Sequence, residues 1–124
     1  MAGGIDILFV DDNEGFRNLV CNTGSVLDLR IKAFHDPKKA LGELRAHPDK
    51  YRAVVSDYRL GLEMTGLHLL ERAREICGDR AAYVLYTGET HELLQKMAKN
   101  AGVHYVYKEQ GKTRDFLKSL GETG

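Results

Sequence analysis

Asp11, Asp12, Asp57, Thr87 and Lys108 have the side-chain types and the spacing to do chemistry together. Each closes a short apolar run: residues 5–10 lead into Asp11 and Asp12, 53–56 into Asp57, 81–86 into Thr87, and 103–107 into Lys108. Three carboxylates, a hydroxyl and an ammonium at one place suit a divalent cation and a phosphoryl group. Two carboxylates ~4 Å apart near a surface repel by roughly 4 kcal/mol at an effective dielectric of 20, so a cluster of three shifts a pKa or recruits a cation. Mg²⁺ takes one or two carboxylates together with waters and phosphate oxygens. No cysteine belongs to the cluster and no histidine joins it in sequence, which argues against zinc. A carboxylate at a strand tip, as Asp57 would be, is a nucleophile toward phosphorus when a metal neutralises the incoming charge. Lys108 and Thr87 would meet phosphoryl oxygens by charge and hydrogen bond. Taken singly, Asp11 and Asp12 read as well as turn residues capping a helix, Asp57 as a plain strand end, Thr87 as a loop hydroxyl and Lys108 as a surface cation. Their recurrence at successive run ends favours one shared site.

For these residues to meet, the runs must be neighbouring parallel strands, whose carboxyl ends line one edge where open α/β sheets bind ligands. The runs alternate with helical patterns. Phe16, Leu19, Val20 and Thr23 recur three and four apart on one face of a first helix, which Gly24 should end or loosen. A strand at 30–34 follows. Asp36 then suits a cap and Pro37 a first turn, and Ala40, Leu41 and Leu44 make a buried stripe with Pro48 beyond the helix end. After the strand at 53–57 and an exposed loop at 61–65, a helix buries Leu69, Leu70, Ala73 and Ile76. The strand at 82–87 leads to a helix with Leu93, Leu94, Met97 and Ala98 at core spacing, punctuated by Asn100 and Gly102. A strand at 103–107 and a helix at 112–120 burying Phe116, Leu117 and Leu120 complete the pattern. Strand–helix units with right-handed crossovers predict an α/β fold: a flavodoxin-like, doubly wound (βα)5 three-layer sandwich with parallel order 2-1-3-4-5. That order sets Asp11 and Asp12 beside Asp57.

The chain of 124 residues suits one compact domain, read as 4–121 with short tails at 1–3 and 122–124. Hydrophobic residues at 43% and charged residues at 29% predict a globular core rather than disorder. The 18 basic and 18 acidic residues cancel, so there is no overall field for nucleic acid or an anionic membrane, and direct binding to either is not expected. No apolar run approaches the ~20 residues of a membrane span, and no secretory signal is read. Cys21 and Cys77 form no metal-ligand spacing and are expected as reduced thiols in a cytoplasmic protein. His35, His47, His68, His91 and His104 are scattered and read as surface residues, none a phosphodonor.

Asp11-Asp12, Ser56-Asp57-Tyr58-Arg59-Leu60, Tyr86-Thr87-Gly88 and Lys108, in that order, resemble the signature of receiver domains of two-component response regulators, over about 4–120. The resemblance implies that Asp57 is the phosphoacceptor, taking a phosphoryl group from a phosphohistidine of a histidine kinase or phosphotransfer protein. It implies Mg²⁺ held directly by Asp12, Asp57 and the backbone carbonyl of Arg59, with Asp11 on a metal-bound water. Thr87 and Lys108 would bind the phosphoryl oxygens. Tyr105 matches the aromatic switch position, which moves with Thr87 and remodels the face of the fourth helix, fifth strand and fifth helix. A downstream protein or a fused output domain would read that face. Such a switch is not an enzyme in the turnover sense. Arg59 and Glu89, two residues past Asp57 and Thr87, match positions at the site's mouth that tune phosphoryl lifetime, and are expected to form an ion pair there.

The sequence departs from the family pattern at two places. Glu109 stands where the family usually has a proline that is commonly cis. A cis bond before a non-proline residue costs ~2.5–4 kcal/mol, so a trans bond and a looser loop at 109–112 are expected. Gly61 replaces the usual proline after Asp57, while Gly66 matches the small residue that opens the third helix. Two other classes compete. One is a receiver-like interaction module that works without phosphate. The other is a haloacid-dehalogenase-like phosphatase or phosphotransferase, which would carry Asp-x-Asp after the first strand; here the two carboxylates are adjacent.

Overall fold

The computed structural model describes residues 5–61 and 63–122. Among them β1 (Asp6–Val10), α1 (Glu14–Val26), β2 (Arg30–Phe34), α2 (Pro37–Ala46), β3 (Ala53–Ser56), α3 (Gly66–Cys77), β4 (Ala82–Thr87), α4 (Glu92–Asn100), β5 (His104–Tyr107) and α5 (Thr113–Glu122) alternate, with a 3-10 turn at Gly78–Arg80. The strands are all parallel and ordered β2-β1-β3-β4-β5, as the pattern of runs predicts. Residues 1–3, 123 and 124 of the expected tails, and Gly4 at the expected domain boundary, lie outside the described residues. Glu122 belongs to α5.

Period-two alternation splits the core in two. Leu8, Val10, Val54, Tyr83 and Leu85 face one side and pack with Ala40, Leu44, Leu70, Ala73, Leu94 and Ala98 of α2, α3 and α4. Ile7, Phe9, Val55, Val84 and Tyr86 face the other and pack with Val20 of α1 and Leu117 and Leu120 of α5. Three helices start on side-chain caps: Asn13 accepts from the Phe16 N–H, Asp36 from Lys38 and Thr65 from His68. Each cap satisfies an amide that the first helical turn leaves without a partner.

Three expectations about helix faces need correction. Gly24 neither ends nor loosens α1; it lies buried inside the helix, where a Cβ would come 2.3 Å from Ile31 Cδ1. Its missing side chain lets α1 approach β2. With Phe16, Val20 and Gly24 at i, i+4 and i+8 against the sheet, Leu19 turns to solvent and is exposed. In α4 only Leu94 and Ala98 are buried, while Leu93 at 69% and Met97 at 44% stand exposed one position ahead of each. A nine-residue helix over the end of a sheet buries one narrow stripe, not two.

Cys21 and Cys77 are unpaired, and burial pushes both thiols up, which favours the protonated, unreactive form. No helix among the described residues is long and apolar enough to cross a membrane.

The entry to α3 fixes the end of β3. Gly66 N–H donates to the Tyr58 carbonyl at 2.7 Å, and a Cβ on Gly66 would sit 1.7 Å from the Asp57 carbonyl oxygen. The clash is with backbone, so a rotamer change does not relieve it. Gly66→Ala is expected to lose about 2–3 kcal/mol in urea unfolding, an overpacking cost. An unchanged midpoint would show that α3 does not press on Asp57.

Candidate functional site

At the carboxyl edge of the sheet, neighbouring strand ends are stitched together by backbone. Asp57 N–H donates to the Val10 carbonyl at 3.0 Å, joining β3 to β1. Lys108 N–H donates to the Thr87 carbonyl at 2.8 Å, joining β5 to β4. Asp11 N–H donates to the Phe34 carbonyl of β2 at 3.1 Å. These bonds decide where the chemistry-bearing side chains emerge.

Lys108 Nζ lies 3.0 Å from Asp11 Oδ2 and 3.4 Å from Asp57 Oδ2, so one ammonium bridges two carboxylates. Asp11 is 1% exposed and its other oxygen accepts the Asn13 N–H at 2.9 Å, while Arg17 donates to its carbonyl at 2.7 Å. Asp57 Oδ1 accepts the Tyr58 N–H at 2.7 Å, leaving a half-buried carboxylate turned toward the edge. Asp12 stands exposed, its carboxylate without a hydrogen bond or ion pair among the described residues. The sheet alternation explains the contrast, since adjacent side chains leave a strand end on opposite sides. Among the described residues no three acidic, histidine or cysteine side chains gather as a metal cluster.

Thr87 is 1% exposed, and its hydroxyl accepts the Glu89 N–H at 3.2 Å. Glu89 also holds the other two residues named for the mouth and the switch. Its carboxylate pairs with Arg59 through Nε–Oε2 at 2.8 Å and Nη2–Oε1 at 3.2 Å, the ion pair expected from the sequence. Its carbonyl accepts the Tyr105 hydroxyl, with the Tyr105 ring packed against the α2–α4 side of the core. Arg59 holds the Glu89 carboxyl below its usual range, and burial pushes the Tyr105 phenol up. His91 Nε2 approaches the same carboxylate at 3.5 Å.

Thus Asp11, Asp57 and Lys108 meet directly, Thr87 is one backbone bond from Lys108, and Arg59, Glu89 and Tyr105 form an adjoining cluster. No peptide bond among the described residues is cis, so Lys108–Glu109 is trans as expected. Residues 109–112 form a turn, closed by Lys112 N–H on the Glu109 carbonyl at 3.1 Å, with Gly111 at φ +82°. Two site neighbours escaped the sequence reading. The Phe16 ring lies 4.4 Å from Lys108 Nζ and the Tyr86 ring 6.0 Å. Phe16, four positions after Asp12, read as part of a helix's core face, and Tyr86 only as the motif residue before Thr87, neither as a neighbour of Lys108.

Burial pushes the Asp11 carboxyl above its ordinary value of 3.8, against the Asn13 N–H and the Lys108 charge, which pull it down. The folded protein therefore holds this proton to higher pH than the unfolded chain does. As pH rises through that window the unfolded state has the fewer protons, and stability falls. Asp11→Asn removes the effect. Its urea stability, compared with wild type from pH ~4 upward, should gain on wild type as pH rises. Parallel curves would show that Asp11 carries no such burden.

No family model matches the sequence, and no curated protein matches it. Solved structures match nearly the whole chain. The chemotaxis protein CheY4 of Vibrio cholerae is 20% identical, with 97% of this chain and 98% of that one covered and a TM-score of 0.83. A CheY-like response regulator receiver domain protein from Methanospirillum hungatei is also 20% identical, with 98% and 94% covered and a TM-score of 0.85. The phosphorylated cyanobacterial phytochrome response regulator RcpA is 17% identical, with 97% and 93% covered and a TM-score of 0.82. The chain has the fold of CheY-like response-regulator receiver domains.

Proposed function

We propose that the protein is a phosphorylation-operated signalling switch in which Asp57 accepts a phosphoryl group. The observation that carries this reading is the Lys108 ammonium shared by Asp11 and Asp57 at the carboxyl edge of a receiver-type sheet. A carboxylate oxygen of Asp57 attacks phosphorus, the phosphorus–nitrogen bond of a donor phosphohistidine breaks, and the imidazole leaves. The product is an acyl phosphate on Asp57. Phosphoryl transfer needs positioning and charge neutralisation more than covalent assistance. Lys108 supplies a cation that needs only to slide from carboxylate to phosphoryl oxygen. The Thr87 hydroxyl supplies a hydrogen bond once it turns from Glu89.

The donor set also fits Mg²⁺. Asp11 and Asp57 are hard oxygen donors on hydrogen-bonded strand ends, one of them buried at a cost that a cation relieves. In this reading Asp12, Asp57 and the Arg59 carbonyl would hold the ion, with Asp11 reaching it through a water. The ion's contribution is to neutralise negative charge between carboxylate and phosphoryl oxygens.

Output passes through the face of α4, β5 and α5 to a protein partner or output domain. Leu93, Met97 and Tyr107 support this, being large apolar side chains exposed on α4 and β5. A phosphate adds ~2 negative charges at the site. Thr87 and Tyr105 both bond to Glu89, so a pull on one reaches the other.

Mass spectrometry after incubation with acetyl phosphate and Mg²⁺ tests the reading. Wild type should gain one phosphate, and Asp57→Asn or a chelator should abolish the gain. A wild type that never gains it would leave a phosphate-independent interaction module. Arg59 and Glu89 form a bidentate pair beside Asp57, a hindrance to attacking water. Such an exposed pair contributes little to stability, so its effect is on rate. Autodephosphorylation should speed up in both Arg59→Ala and Glu89→Ala; an unchanged half-life in both would remove the gating role.

A further inference from the structure

Lys108 is anchored at its backbone by Thr87 and at its ammonium by two carboxylates. The loop after Lys108 has no proline to stiffen it. The Lys108–Glu109 bond is trans, Glu109, Gln110 and Gly111 are exposed, and no proline follows Pro48. A lysine stem is flexible and rich in rotamers. Two oxygens on one side leave an ammonium free to move on an arc around them. A third contact, from the apolar side, would fix it.

That contact exists. The Phe16 ring centroid is 4.4 Å from Nζ, and the Tyr86 ring flanks the ammonium at 6.0 Å. These rings form a braced stack. Phe16 and Tyr86 are 6.3 Å apart at 28°, Tyr86 and Phe116 lie parallel at 4.0 Å, and Phe9 meets Phe16 at 5.9 Å. The Tyr86 hydroxyl shares a hydrogen bond with Thr113 Oγ1 at the start of α5. Phe16 is set by the chain that sets Asp11: its N–H donates to the Asn13 side chain at 2.8 Å, and the Asn13 N–H donates to Asp11 Oδ1 at 2.9 Å. One capping residue thus orients both a carboxylate and the ring on the far side of the same ammonium.

We propose that Phe16 is a positioning residue for the phosphoryl-site lysine: its ring face, packed beside Tyr86, holds the Lys108 ammonium between Asp11 and Asp57 by cation–π attraction. The ring's negative quadrupolar face draws the cation, and more strongly where water is scarce. Here the Lys108 side chain is 23% exposed and Asp11 1%. The kinetic consequence rests on the phosphoacceptor reading; the positioning does not. Phe16 touches neither donor nor phosphoryl group and acts only through Lys108.

The test places phenylalanines with one, two and three ring fluorines at position 16, which drains the ring face with little change of shape. Phe16→Leu removes the face and Phe16→Trp keeps it. Two quantities are measured: the rate of Asp57 phosphorylation by acetyl phosphate at saturating Mg²⁺, and the NMR shift of the Lys108 ε-methylene protons before donor is added. Expected is a stepwise fall in rate with each fluorine, a fall of about tenfold in Phe16→Leu, and near-wild-type behaviour in Phe16→Trp. The Lys108 ε-protons should be shifted upfield by the ring in wild type and relax toward free-lysine values in Phe16→Leu. A rate indifferent to fluorine number, at unchanged urea stability, overturns the proposal. So do Lys108 ε-protons at free-lysine values in wild type. If wild type takes up no phosphate, the phosphoacceptor reading fails by itself, and the Lys108 shift still decides the positioning either way.

Discussion

One ammonium between two carboxylates is the constraint on which the site depends. Asp11 comes from the end of β1, Asp57 from the end of β3, and Lys108 from the end of β5, with β4 lying between β3 and β5. Lysine therefore has to cross the mouth of β4 to reach its partners, and only a long unbranched stem does that. The crossing ties three strand ends with a single cation. It also makes a buried Asp11 tolerable, since an unpaired carboxylate that deep would shed its charge. Arginine would not be equivalent, because its planar fork favours two oxygens of one carboxylate, whereas a compact ammonium takes one from each.

A second layer surrounds this centre, and Glu89 organises it. Its side chain is held by Arg59, its N–H by the Thr87 hydroxyl, and its carbonyl by the Tyr105 hydroxyl. One residue of the β4–α4 connection thus contacts the loop after β3, the hydroxyl at the end of β4, and the ring on β5. Any force that turns the Thr87 hydroxyl toward Asp57 breaks a bond to Glu89. The Glu89 carbonyl carries that change to Tyr105 on β5. In the proposed function, this is how charge on one carboxylate is read at a surface.

The strands and their order were legible because burial on both faces leaves continuous apolar runs, and because parallel neighbours need helical crossovers. The pairing of Arg59 with Glu89 was expected too, because the family resemblance puts both positions at the mouth of the site. Helix faces were less so. Leu19, Leu93 and Met97 fit an apolar stripe by spacing, but spacing does not say how wide a stripe the sheet will cover. Gly24 reads as a breaker in isolation; only the tertiary approach of Ile31 makes its lack of a side chain an asset inside a helix. Phe16 and Tyr86 were hidden for another reason. A core aromatic and one that presents its face to a cation look identical in sequence, and the difference lies in the path of the lysine stem that leaves the end of β5.

The adjacency of Asp11 and Asp12 also bears on the kind of chemistry the edge supports. A pair of acids that act on the same phosphoryl group from one strand must sit two apart, so that both project to the same side. Asp11 and Asp12 instead diverge, one buried against Lys108 and the other in solvent. A second acid beside Asp57, placed to protonate a leaving alcohol, is thus missing from the strand where a haloacid-dehalogenase-like enzyme would carry it. What Asp57 has beside it is a cation and a buried, charge-costly carboxylate. In the proposed function, that combination favours receiving a phosphoryl group from a good leaving group such as an imidazole over cleaving an unactivated ester.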